Sequence, residues 1–223
     1  MFNKLLRKYR TWRFAKTQKK DVLKKGTLLN AFYHSKTIFI HIPKTAGVSL
    51  LKSIYGDVTL SGHRSFYFNS IVLDTKNYKY FSFAFVRNPF DRLYSTYMFL
   101  KRGGMNCHDK RAFANRLSKF ENFEDFVLNG LDKKLIFEIT HLIPQHDYIC
   151  DSKGNILVDF IGRFEKLDDD IELLSMRLNK NLKLDHYNFN NKRSYLEVYS
   201  QVMIDKVSKV YQKDIDIFGY NFK

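Results

Sequence analysis

Thr37–Leu50, TIFIHIPKTAGVSL, constrains the fold more than any other stretch of this chain. Thr37, Ile38, Phe39 and Ile40 suit a buried strand, Lys36–Ile42 in all, which Pro43 interrupts. From Gly47 the residues GVSLLKSIY have helical spacing, and Gly56 stops the run at Tyr55. A strand that turns through a short loop into a helix N-terminus gathers backbone N–H groups and the positive end of the helix dipole at one point. That is a site for an anion. Lys44 adds a mobile positive charge, Thr45 and Ser49 add hydroxyls, and Gly47 allows close backbone approach. The stretch is not the GxxxxGK[ST] loop of ATP and GTP enzymes, because the leading Gly is missing and Lys precedes the Gly. The same residues also read as a helix start with a surface lysine.

A second strand is predicted over YKYFSFAFVR, Tyr78–Arg87, apolar enough for a covered parallel sheet. Asn88 and Pro89 open a helix that runs to the pair Gly103–Gly104. ENFEDFVLNG reads as helical up to Gly130, NILVDFIGRF (Asn155–Phe164) as a third strand, and LDDDIELLSMRL as a helix with acids in its first turn. Ser194–Phe218 repeats apolar residues at helical spacing. Strands alternating with helices predict an α/β fold: a single domain around a central, mainly parallel sheet with helices on both faces. In such sheets ligands sit at the carboxyl ends of the strands, where Pro43–Ser49, Arg87–Ser95 and Arg163–Glu165 fall.

Arg87 ends the second strand, a good position for a forked donor to grip a phosphate, or for a buried arginine to tie strand to helix. Ser95 lies about two turns into the following helix, and Arg92 is read as pairing with Asp91 or another acid.

Together HIPKTAGVSL and VRNPFDRLYSTY resemble the 5′-phosphosulfate loop and the 3′-phosphate motif of sulfotransferases that use 3′-phosphoadenosine 5′-phosphosulfate (PAPS). The wording is nearest the carbohydrate branch that includes the heparan and chondroitin O-sulfotransferases and bacterial relatives. PQHDYI, IGRFEKLDDDIELL and YQKDIDIFGYNF resemble later segments of that branch, so the similarity runs from about residue 36 to 222. The resemblance implies a P-loop-NTPase-like sheet, the sulfotransferase fold. It implies that Lys44, Thr45, Ala46, Gly47, Val48 and Ser49 cradle the 5′-phosphosulfate, with Lys44 also catalytic. Arg87 and Ser95 would hold the 3′-phosphate, and Lys192, Arg193 and Tyr195 would close over the nucleotide, touching the 3′-phosphate or stacking on adenine, or form a basic helix start on the surface. His63, in SGHRSFY, resembles the catalytic base of the heparan 2-O branch; Asp57 and Glu165 stand behind it, and a solvated loop histidine is the plainer reading. His41 reads as a packed strand-end residue, and His141 and His146 as structural or as lining an acceptor cleft. The chemistry needs no metal.

Of 223 residues, Lys and Arg exceed Asp and Glu by 15, which favours a polyanionic partner. Residues 1–25 carry ten of the basic residues against the single acid Asp21, so residues 1–30 are set apart as a basic lead-in to a domain over 31–223. Cys107 and Cys150 have no paired spacing, which favours a reducing compartment. With neither an apolar run of membrane length nor an apolar signal core, the expectation is a cytoplasmic enzyme, with the basic N-terminus able to touch anionic lipid. The expected reaction is sulfuryl transfer from PAPS to a hydroxyl of a carbohydrate, an anionic glycan or glycoconjugate, with no nucleic-acid partner. The alternative is a non-catalytic polyanion binder on the same fold.

Overall fold

The computed structural model describes residues 2–59, 62–184 and 194–223, with side chains from Leu6 onward. In chain order the elements are α1 (Phe2–Gln18), α2 (Leu28–Ser35), β1 (Thr37–Ile40), α3 (Gly47–Tyr55), α4 (Phe66–Leu73), β2 (Phe81–Val86) and α5 (Pro89–Lys101). There follow α6 (Cys107–Ala112), the single turns α7 (Phe123–Asp125) and α8 (His146–Ile149), β3 (Phe160–Arg163), α9 (Leu167–Leu178) and α10 (Gln201–Phe218). Helices flank a three-stranded parallel sheet of order β1-β2-β3, as the alternating pattern predicts. In it Thr37 lies opposite Phe81 and Ile40 opposite Ala84.

The chain packs as two compact units. The first gathers the described residues of Met1–Ile42, Ala46–Phe85 and Asp147–Tyr187. Its core is the sheet itself, with Ile38, Phe39, Ile40, Phe83, Ala84 and Phe85 buried together with Leu50, Leu51 and Ile54 of α3. Short polar residues start its helices: the Thr27 side chain accepts from Asn30 N at α2, and the Ser65 side chain from Phe68 N at α4. At α9 the acids Asp168–Asp170 fall in the first turn, and Asp170 also accepts a bond from Arg163 N at 2.6 Å.

The second unit holds Pro43–Thr45, Val86–His146 and the described part of Asn188–Lys223. It is aromatic and helical. Phe90, Leu93 and Tyr97 of α5 are buried with Phe123, Phe126 and Val127 and with Met203, Val207 and Tyr211 of α10. Burial pushes the phenols of Tyr199 and Tyr211 up, so both stay neutral donors, to the Phe90 and Leu142 carbonyls.

Several boundaries differ from the sequence reading: the second strand is Phe81–Val86 rather than Tyr78–Arg87, and the last helix starts at Gln201 rather than Ser194. The first strand ends at Ile40, because Ile42 N bonds back to the Ile40 carbonyl and takes the chain out of the ladder. The third begins at Phe160 rather than Asn155. Asp151 and Asn155 close a turn on each other, and at Asp159 the backbone N donates to the Ser82 carbonyl at 2.8 Å while the side-chain Oδ2 accepts from both Ser82 N and Ser82 Oγ at 2.7 Å, taking the place of a backbone carbonyl. Helices α2 and α4 and the single turn α8 were not predicted. No helix among the described residues is long and apolar enough to cross a membrane.

Candidate active site

The chain leaves β1 and enters α3 through a backbone of unusual hand. Lys44 and Ala46 both take positive φ, 70° and 62°, although neither is glycine. Such conformations cost energy and persist where the surroundings over-determine them. Ala46 is the N-cap of α3, and no side chain caps it among the described residues. The first-turn amides are therefore left to face whatever the loop holds. Ser49 is half-buried in that turn and its hydroxyl makes no hydrogen bond among the described residues; Thr45 is fully buried and Val48 exposed.

In the first unit, Gly47 is required by contact. A Cβ there would lie 1.9 Å from His41 Cδ2 and 2.2 Å from His41 Nε2. The His41 ring stacks on Phe39 at 5.9 Å and tilts over the His63 ring at 4.3 Å. His63 Nδ1 lies 3.0 Å from the His41 carbonyl oxygen. A carbonyl only accepts, so Nδ1 carries the proton and the lone pair of the neutral ring is on Nε2. His41 thus acts as packing over Gly47 and as the group that sets the tautomer of His63. Asp57 and Glu165 are both exposed.

In the second unit, Arg87 is nearly buried and its bonds fan out from one point. Its Nε donates to Asp91 Oδ2 at 2.7 Å, tying the end of β2 to α5, and its Nη1 donates to the Lys44 carbonyl at 3.0 Å. Its backbone is clamped by Gln145, which accepts from Arg87 N and donates to Arg87 O. Gln145 is held in turn by Asp214 of α10, a fully buried carboxylate that also takes His146 N and lies 2.6 Å from His146 Nδ1. Arg87 is therefore positioned from three places in the chain and supports the turn at Lys44. The Lys44 ammonium rests 4.0 Å from the centre of the Phe99 ring.

Of the residues expected at the site, Lys44 joins Arg87 in this unit, and Gly47 joins His41 and His63 in the first. Ser95 sits half-buried on α5 with its hydroxyl unbonded among the described residues. Tyr195 donates its hydroxyl to the Lys223 carbonyl and packs edge-on to Phe222. Lys192 and Arg193 lie outside the described residues. Among the described residues Arg92 pairs with no acid: it donates to the carbonyls of His141 and Ile143, at 3.1 and 2.9 Å, and so anchors the segment before Pro144. His146 is structural through Asp214, and His141 packs against Phe99. Gln145 and Asp214 went unpredicted, since nothing local marks a contact spanning 69 residues. No cluster with metal-binding composition occurs among the described residues.

Comparison with curated proteins and with solved structures returns no match. A model of the sulfotransferase family does match, over residues 32–221, from α2 through the whole of α10 and so across both strand-to-helix junctions. The chain belongs to the sulfotransferase family, transferases of sulfuryl groups.

Proposed function

We propose that the protein transfers a sulfuryl group from PAPS to a hydroxyl of a carbohydrate acceptor, with His63 as general base. The observation that carries this reading is the β1–α3 loop, where two left-handed residues precede a helix whose N-terminus has no side-chain cap among the described residues. The residues present fit such a donor. Gly47 leaves no side chain over the helix start, Lys44 and the Ser49 hydroxyl provide donors, and Arg87 and Ser95 provide a second anion-binding pair for a nucleotide phosphorylated at both ends. When bound, the donor supplies the sulfuryl group and a phosphate leaving group. Lys44 Nζ offers positive charge or a proton where negative charge develops. His63 Nε2 takes the proton of the acceptor hydroxyl, and the His41 carbonyl steadies the imidazolium that results. The net charge of +15 suits an anionic glycan as acceptor.

Calorimetric titration with 3′-phosphoadenosine 5′-phosphate, ADP and ATP, without metal, tests the donor. Selective binding of the 3′-phosphorylated nucleotide is expected; a preference for ATP would overturn the reading. Glycans screened with labelled donor then supply the acceptor, on which His63→Ala should retain nucleotide binding and lose transfer.

A further inference from the structure

Helix α1 precedes the family match, and its outward face has a composition that the transfer chemistry does not use. We propose that this face docks the protein on an anionic membrane surface, lying flat in the headgroup zone.

The helix is firmly seated by its inner side. Ala15 is completely buried, and the Phe14 ring, itself 42% exposed, meets Phe68 of α4 at 5.8 Å. The Arg64 guanidinium lies over both rings, 4.7 Å from Phe14 and 5.2 Å from Phe68. Arg7 Nη2 donates to Asp147 Oδ2 at 2.9 Å. The backbone of the outer face is thus already helical, so binding has only its side chains left to order.

On that face Leu6, Tyr9, Trp12 and Lys16 succeed one another at spacings of three and four, with Arg10 and Arg13 alongside. Tyr9 is 54% exposed and Trp12 41%, their rings stacked at 6.1 Å, and the Lys16 ammonium lies 5.2 Å from the Trp12 ring. Past the helix Lys19, Lys20, Lys24 and Lys25 are exposed as well, and so is Leu23, at 73%. Tyrosine and tryptophan rings between cations match the level of lipid headgroups, where apolar bodies and polar tips are accommodated together. The positive strip complements an anionic lipid surface. Leu6 and Leu23 decide between occupants: a hydrated polyanion gives exposed aliphatic groups nothing, whereas a membrane buries them.

The chain has one tryptophan, Trp12, so its emission reports this face directly. The full chain is mixed with vesicles of phosphatidylcholine alone or with added phosphatidylglycerol, and sedimentation is followed beside emission. Binding and a blue shift on the anionic vesicles only are expected, reversed toward about 1 M salt, where the screening length falls to about 3 Å. The variant R10E/R13E/K16E should bind at least roughly a hundredfold more weakly, at about fivefold per charge removed, with its thermal midpoint unchanged. Absence of the shift, equal binding to neutral vesicles, or undiminished binding by the triple variant overturns the proposal. So does tighter binding to heparin fragments or single-stranded DNA than to vesicles with Trp12 emission left unshifted, which assigns the face to a polyanion.

Discussion

The two strand-to-helix junctions of this chain solve the same local problem in opposite ways. After β1 the backbone turns left-handed twice, and no side chain caps α3 among the described residues. After β2 the polar groups are matched within the chain. The Asn88 side chain caps Phe90 N, Pro89 takes the first-turn position that needs no donor, and Gln145 clamps both backbone groups of Arg87. Under the proposed function, the first junction would offer backbone to a ligand and the second one side chain, Arg87, held in place by neighbours. A bisphosphorylated nucleotide calls for both kinds of site, one that wraps a phosphosulfate with amides and one that grips a terminal phosphate with a fixed fork.

The largest effect that separates them is expected at Lys44. If Lys44 acts as proposed, Lys44→Ala removes a charge where negative charge develops, so turnover on the acceptor should fall about 10²–10³-fold while nucleotide affinity changes much less. Unchanged turnover would reduce the first junction to a binding loop. Arg87→Ala comes next. Loss of charge-assisted bonds worth about 1.5–3 kcal/mol should weaken 3′-phosphoadenosine 5′-phosphate by roughly 10–150-fold relative to its 3′-dephospho analogue. Equal loss for the two nucleotides would assign Arg87 only to supporting the Lys44 turn through its carbonyl.

Gly47→Ala tests whether the first junction depends on close approach. The added Cβ must displace the His41 ring, at a cost of about 1–3 kcal/mol in thermal stability. Because His41 also holds Nδ1 of His63, the imidazole resonances of both residues should move together. Stability at the wild-type level with unmoved resonances would show that the packing around Gly47 gives way freely.

How much the sequence revealed depends on the range of the interactions involved. Helix α3 begins at Gly47 and ends before Gly56, and α5 opens on Asn88–Pro89, because those signals lie within a turn of the elements they bound. The acids opening α9 were readable for the same reason. Helix α4 was hidden: FYFNSIVL is apolar on nearly every side, so it has no helical stripe to detect. β3 was read five residues too early, because Asn155–Asp159 is as strand-like in composition as Phe160–Arg163, and only the Asp159–Ser82 contact shows where the ladder gives way. At the candidate site the placement of Lys44 and Gly47 between β1 and α3, and of Arg87 at the end of β2, was legible from local pattern. The support behind them was not, since Gln145 and Asp214 reach Arg87 across tens of residues and His41 reaches His63 across a loop.

The smallest expected effect sharpens the contrast most cleanly, because it touches the second junction without touching a proposed ligand contact. Asn88 Oδ1 caps Phe90 N at 3.1 Å, and its Nδ2 donates to the Asn221 carbonyl at 2.8 Å. Asn88→Ala removes a cap, about 1 kcal/mol, and leaves the Asn221 carbonyl short of a donor, for a loss of about 1–2 kcal/mol measured by denaturant unfolding. Asn88→Ser keeps a capping oxygen and should recover the cap's share alone. If both variants bind 3′-phosphoadenosine 5′-phosphate as the parent does, the cap serves only to start α5, and Arg87 owes its position to Gln145. A parallel fall in affinity would instead show that the start of α5 and the fork of Arg87 move as one piece, making the second junction as dependent on its backbone as the first.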